Sequence, residues 1–432
     1  MKLIKLITLL TVCVGITNAQ QTPAKKQSKA IAIIGATTHI GNGEVISNSL
    51  VSFNKGIIES IALYTGSEDL SKMKVIDATG QHIYPGFIVA NSTLGLIEID
   101  AVRATDDDQE IGTWNPHIRS LIAYNAESKV VESMRPNGVL LAQVTPRGGR
   151  ISGTSSVVQL DAWNWEDAVI KSDNGIHLNW PSILSRGRWR LGEDRGLKSN
   201  PKYSSQVAEI DSYFKGAKAN SNTTEGLQNL PLAAMKGLFD SSKTLFIHVN
   251  TEKAIMDAVE FTKQQALTKV VIVGAYEAFK VADYLKENKI AVLLQRVHSR
   301  PNNDDNDYDL PFKMASLLVK AGITVGLETS GDMERMNSRN LPFYAGTTAA
   351  YGLTKEQALQ LITLNTAKIL GIDSNYGSLE VGKSATLFIS KGDALDMRTN
   401  HLTNAFIDGR KISLETHQTE LWKRYSKKYS HQ

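Results

Sequence analysis

The residues of this chain that stand out as candidates for chemistry lie far apart in sequence. His248 ends the strand-like run Leu245-Phe246-Ile247-His248-Val249-Asn250, where an imidazole either acts as a general base or sits hydrogen-bonded in a pocket. His298, in Val297-His298-Ser299-Arg300, offers a second imidazole. Glu328 and Asp332 add two carboxylates, which also read as ordinary loop acids. His248, His298 and Asp332 are therefore the catalytic candidates.

The segment Thr145-Pro146-Arg147-Gly148-Gly149-Arg150 combines backbone N–H groups with two guanidiniums, the chemistry that cradles a carboxylate or phosphate. An ordinary glycine-rich βα loop explains it equally well. Trp163, in Trp163-Asn164-Trp165, and Trp180 supply aromatic surface for stacking on a ring, or serve as buried loop anchors. The substrate-binding candidates are thus Arg147, Gly148, Gly149, Arg150 and Trp163. The acidic run from Asn302 to Asp309 lacks the glycine and distal glutamate of a calcium loop and reads as a solvated connection.

Composition removes several classes of function. Cys13 is the only cysteine, and it falls in an N-terminal segment with the charged, apolar and small-residue succession of a signal peptide: Lys2 and Lys5, then Leu6 to Ile16, then Ala19. Cleavage after Ala19 is expected, with a periplasmic or secreted product that carries no thiol chemistry. The apolar run is far shorter than the roughly 20 residues a membrane span needs, so no integral membrane segment is expected after cleavage. The formal charge is +4, two units of it from Lys2 and Lys5, which argues against a nucleic-acid partner.

The elements that must position these groups fall into two styles. Residues 30–84 read as short strands punctuated by glycines, and the style returns in Ala385 to Ile389 and Ala405 to Ile412. Between them strand and helix alternate: strand 244–249, helix 252–266, strand 270–273, helix 278–287, strand 290–294, helix 312–320, a strand from Gly322 to Leu327, and helix 355–370. This pattern predicts a parallel sheet buried on both faces and allows either a barrel or a doubly wound sheet.

Two stretches select the barrel. Tyr84-Pro85-Gly86-Phe87-Ile88-Val89-Ala90-Asn91-Ser92-Thr93 resembles the signature that opens the barrel of the amidohydrolase superfamily, in which His-x-His follows Pro-Gly and an apolar strand. The run from Tyr351-Gly352-Leu353-Thr354 through Asn365-Thr366-Ala367 to Gly377-Ser378-Leu379-Glu380-Val381-Gly382 is similar to the closing segment of imidazolonepropionase-like members. The resemblance implies an α/β fold: a (β/α)8 TIM barrel with a small discontinuous β-sandwich domain built from both chain ends. The expected division is residues 1–19 as signal peptide, 20–29 as linker, 30–84 with 377–415 as the β-domain, 85–376 as the barrel, and 416–432 as a basic tail with interleaved aromatics, read as a terminal helix packing on the body rather than as a membrane anchor.

The same resemblance implies hydrolysis of a non-peptide C–N bond, in a cyclic amide or dipeptide-like substrate, by one or two divalent metals at the barrel mouth. Here the ligand positions have changed. Asn91 and Thr93 replace the first-strand histidines, Val89 a usual Asp, Gly274 the sixth-strand His and Ser330 the eighth-strand Asp, while His248 keeps the fifth-strand position. The fourth-strand position has no assignable counterpart. Zinc needs about three good donors plus water, so no stoichiometric zinc and no other cofactor is expected. The alternative is a catalytically inactive pseudoenzyme that binds a small molecule, forms a homo-oligomer, or pairs with an active relative.

Overall fold

A computed structural model describes residues 22–186, 196–221, 229–331 and 333–429. Residues 1–19, expected to be a signal peptide, lie outside the described residues, as does Asp332.

The chain begins in a sheet of β1 (Ile31–His39), β2 (Val45–Asn54), β3 (Ile57–Leu63), β4 (Lys74–Asp77) and β5 (His82–Pro85). β1, β2 and β3 form an antiparallel meander, and β4 and β5 both run parallel to β1. The β2–β3 turn is Lys55-Gly56 with both residues at positive φ, the two-residue geometry that matches strand twist.

The barrel follows. β6 (Phe87–Ser92), β7 (Val139–Val144), β8 (Ile151–Gln159) and β9 (Val169–Asn179) give four neighbouring strands, and every residue of the first three is buried. A hairpin of β10 (Leu184–Arg186) and β11 (Leu197–Ser199) and helix α1 (Tyr203–Ser221) lead to β12 (Thr244–Val249). Helix α2 (Glu252–Gln264) then buries Ile255, Ala258, Val259 and Thr262 on its inner face. β13 (Val270–Gly274), α3 (Ala282–Glu287), β14 (Ala291–Leu294), α4 (Leu310–Lys320) and β15 (Val325–Leu327) complete the cycle. A parallel bridge between Ala90 and Glu328 joins the two edges of this sheet.

The strand directions depart from a strict β/α alternation. β8 runs antiparallel to both β7 and β9, so the second to fourth strands form a meander. Only residues 145–150 separate β7 from β8, too few for the helical crossover that parallel neighbours require. The Arg147 loop is therefore a β-hairpin turn rather than a βα loop, with Gly148 and Gly149 at positive φ.

Helices α5 (Glu334–Asn337), α6 (Leu341–Ala350), α7 (Lys355–Gln360) and α8 (Leu364–Leu370) end the barrel. The single helix expected over 355–370 breaks at Thr363, whose backbone leaves the helical region (φ −130°, ψ −100°). Thr354 and Gln357 form a reciprocal capping box that fixes the start of α7. β16 (Leu387–Ser390), β17 (Leu402–Ile407) and β18 (Arg410–Lys411) then return to the first sheet, β16 pairing antiparallel with β5. One eight-stranded sheet is thus assembled from both chain ends, with Ile33, Val51, Phe53 and Ile83 packing against Leu387, Ile389 and Phe406.

Residues 22–29, expected as a linker, are held to the body. Ala24 N donates to Asp161 Oδ2 at 2.9 Å, and Gln27 Nε2 donates to Phe53 O at 2.9 Å. The basic tail forms α9 (His417–Tyr429), which is tied to the body at its start, where Thr416 is buried, while no residue of the helix itself is fully buried.

Candidate functional site

β6 and β7 end at the barrel mouth, and the peptide planes there are set by local backbone choices. Asn91 sits in a bulge of β6 at φ +51°, a left-handed conformation that asparagine tolerates better than most residues. Its N–H donates to Gln143 Oε1 on β7 at 3.0 Å. Its side-chain Nδ2 donates to Glu328 Oε2 at 3.3 Å. The Arg147 fork, delivered by the β7–β8 hairpin, donates from Nη1 to Asn91 Oδ1 and from Nη2 to Asn91 O and both Glu334 oxygens, all at 2.8–3.0 Å. Glu334 Oε1 also accepts from Thr93 N at 2.9 Å.

Glu328 follows β15 and is a fully buried carboxyl rather than a loop acid. Ser330 donates to it twice, from its main-chain N and from its hydroxyl, each at 2.6 Å. Burial pushes the Glu328 carboxyl up to about 7, with the Ser330 hydrogen bonds opposing and the Glu334 charge adding to the rise.

A second group faces the interior from the neighbouring strands. His177 on β9 is fully buried, stacks on Phe246 at 4.8 Å, and pairs its Nδ1 with His248 Nε2 at 3.0 Å. Its Nε2 meets Ser155 Oγ at 2.9 Å, and that hydroxyl accepts from Gln143 Nε2 at 3.0 Å. Burial first and the neighbouring His248 second push the His177 imidazole well down. Burial and then Arg147 do the same to His248, which keeps part of its surface open. A continuous hydrogen-bonded chain therefore runs from Ser330 and Glu328 through Asn91, Gln143, Ser155 and His177 to His248, touching six of the eight barrel strands or the loops that follow them.

The remaining candidates separate. Gly274 ends β13 at φ +88°, and any Cβ there would stand 2.5 Å from Asn250 Oδ1, so no side chain reaches inward from this position. Arg150 donates to Asn179 O at 2.8 Å, and Asn179 Nδ2 donates to the carbonyls of Gly148 and Gly149 at 3.2 and 3.0 Å. The loop carbonyls are thus turned toward Asn179, and the turn is braced rather than left open as an anion cradle. His298 turns to Thr347 Oγ1 at 2.7 Å and packs edge-on to Tyr344, lining an outer groove with Phe343 and Leu395 rather than joining His248. Trp163 follows the far end of antiparallel β8, 63% exposed beside Thr22 and Pro23, away from the mouth. His177 and Glu334 carried no sequence signal beyond a strand histidine and a helix-start acid.

The residues present do not fit the metal that the resemblance implies. Among the described residues no three His, Cys, Asp or Glu side chains gather to hold an ion. The lone inherited imidazole, His248, has its Nε2 engaged by His177, and the Arg147 guanidinium sets a permanent positive charge beside Asn91.

Comparisons with known proteins agree with the architecture. Residues 278–413 match the model of the amidohydrolase family. A 5'-deoxyadenosine deaminase of Methanobrevibacter smithii is 24% identical over 367 residues, covering 80% of each chain. An imidazolonepropionase of Flavobacterium psychrophilum is 30% identical over 110 residues, 24% of this chain and 27% of that one. The structure of an amidohydrolase from Thermotoga maritima superimposes with a TM-score of 0.76 at 22% identity, covering 89% of this chain and 99% of the other. The amidohydrolase-family match thus covers residues 278–413, and the chain as a whole is similar in fold to an amidohydrolase.

Proposed function

We propose that the chain is a hydrolase of a non-peptide C–N bond, in a cyclic amide or dipeptide-like substrate, whose mouth works without the family's zinc. The carrying observation is Glu328: a fully buried carboxyl at the end of the eighth barrel strand, held by Ser330 and facing Asn91. In this reading Glu328 moves the proton that C–N cleavage requires, and Arg147 orients Asn91. The hydroxyls of Thr93 and Thr145 lie buried beside this network with no protein partner among the described residues. Relatives named as deaminases and imidazolonepropionases support the class of bond.

The test is turnover of a panel of amides and lactams by the purified protein, with and without chelator. Turnover that survives chelation and disappears in Glu328→Gln supports the reading; turnover that needs added zinc overturns it.

A second reading has its own observation. The groups a hydrolase would use at this mouth, Glu328, Arg147, His177 and His248, are all bonded to protein partners. That saturation favours a ligand-binding relative without turnover, alone, as a homo-oligomer or beside an active member. Calorimetric binding of a panel compound with no turnover would select it. Export to the periplasm is part of the proposal, supported by the succession Lys2, Lys5, Leu6 to Ile16, Ala19. N-terminal sequencing of the native protein tests it.

A further inference from the structure

Helix α9 leaves the body and exposes an ordered pair of faces. Trp422, Tyr425 and Tyr429 stand at spacings of three and four residues, so they form one stripe, and they are 70%, 54% and 58% exposed. At 3.6 residues per turn, Lys423, Arg424, Lys427 and Lys428 fall opposite and beside that stripe, with Glu420 the one carboxylate within the helix and Lys423 paired to Glu415 just before it. The cations also shelter the rings: Arg424 lies 5.4 Å from the Tyr425 ring and Lys428 lies 5.3 Å from that of Tyr429. The base of the helix is fixed, since Thr416 is buried and His417 N donates to Glu132 Oε1 at 2.7 Å. Among the described residues no helix is long and apolar enough to cross a membrane.

We infer that α9 is a surface-binding helix for an anionic lipid membrane. It lies in the interfacial plane with Trp422, Tyr425 and Tyr429 among the headgroups and its cations on the phosphates. Charge complementarity selects this occupant. A helix with Trp and Tyr on one side and Lys and Arg on the other matches a negatively charged interface, where amphipathic rings sit at headgroup depth and long basic stems reach the phosphates. Trp and Tyr also suit a protein interface; the run of cations beside them is what calls for an anionic surface.

The experiment is co-sedimentation of the full chain with vesicles of phosphatidylcholine alone and of phosphatidylcholine mixed with phosphatidylglycerol. Binding is expected only to the mixed vesicles, and it should weaken as salt rises. Arg424→Gln should lower that affinity about fivefold, the effect of one basic group near the surface. The triple variant Trp422→Ala, Tyr425→Ala, Tyr429→Ala should lower it at least about tenfold. Both keep the native melting temperature, because the changed side chains are exposed. Equal binding to neutral vesicles, or none to either, overturns the inference. So does a lipid-independent dimer that Trp422→Ala dissociates, which would assign the stripe to a second copy of the chain.

Discussion

Arg147 grips Asn91 at two points, donating from Nη1 to the side-chain Oδ1 at 3.0 Å and from Nη2 to the main-chain O at 2.8 Å. This fork holds a left-handed residue at the position where a first-strand metal ligand would stand, and it ties that residue to Glu334. Arg147→Ala should lower stability by about 2 kcal/mol, the range for hydrogen bonds to charged groups. Arg147→Lys should lose nearly as much, since an ammonium cannot make the planar fork. Urea unfolding measures both. A lysine variant as stable as the wild type would show that charge alone matters.

The pH dependence of stability should carry opposite contributions from the two halves of the mouth. Glu328 ionises at about 7 in the folded chain against an ordinary value of 4.5, so its contribution is full below pH 4.5 and is lost as pH rises through 7. The groups that set this are burial, Ser330, Glu334 and Arg147. The span corresponds to something on the order of 3 kcal/mol. His177 is shifted down, so its contribution is full above pH 6.5 and is lost as pH falls below that. Glu328→Gln should therefore become more favourable relative to the wild type between pH 4.5 and 7. A stability difference between the two that stays flat across that interval would show that Glu328 is not held neutral.

Much of this fold is legible in the sequence because its signals are local. The apolar stripe of α2, the Thr354–Gln357 cap and the Asp408-Gly409 turn, with both residues at positive φ, each specify their own element. The direction of β8 is not legible in the same way. A strand buried along its whole length carries no alternation, and only the short loop after Val144 hints that the chain turns back. Trp163 lies away from the mouth for that reason. Glu328 reads as a loop acid because nothing local reveals that the Ala90 bridge closes the sheet around it. His177 and Glu334 acquire roles only through partners more than sixty residues away, His248 and Arg147.

Asp161 joins three parts of the chain that are distant in sequence. Its carboxylate accepts from Arg135 and Arg410, each at 2.9 Å, and from Ala24 N, so the N-terminal segment, the barrel and the returning sheet meet on one buried charge. Removing that charge leaves buried Arg135 without its hydrogen-bonded carboxylate, with only the Glu132 charge still offsetting its own. Asp161→Ala should lower stability by about 3–5 kcal/mol, the usual loss when one partner of a buried pair is deleted. Chemical denaturation tests this, and a loss below 1 kcal/mol would mean that water reaches Arg135 and replaces the carboxylate.

The purified protein is expected to hold no stoichiometric zinc, and partial restoration of the family's ligands should not create a strong site. Asn91→His with Thr93→His supplies two imidazoles. The first is drawn toward the Arg147 guanidinium, which repels a cation. The second replaces a buried residue whose main-chain N–H is already bonded to Glu334. Adding Gly274→His should make matters worse. The backbone there is at φ +88°, strained for any side chain by roughly 1–3 kcal/mol, and its Cβ would collide with Asn250 Oδ1. The double variant should therefore gain only weak zinc affinity by elemental analysis after dialysis, and the triple variant should melt lower than the double without binding more metal. Tight zinc in the wild type, or a triple variant that binds zinc and stays stable, would show that the mouth relaxes around a metal and that the hydrogen-bonded chain from Glu328 to His248 is not its working arrangement.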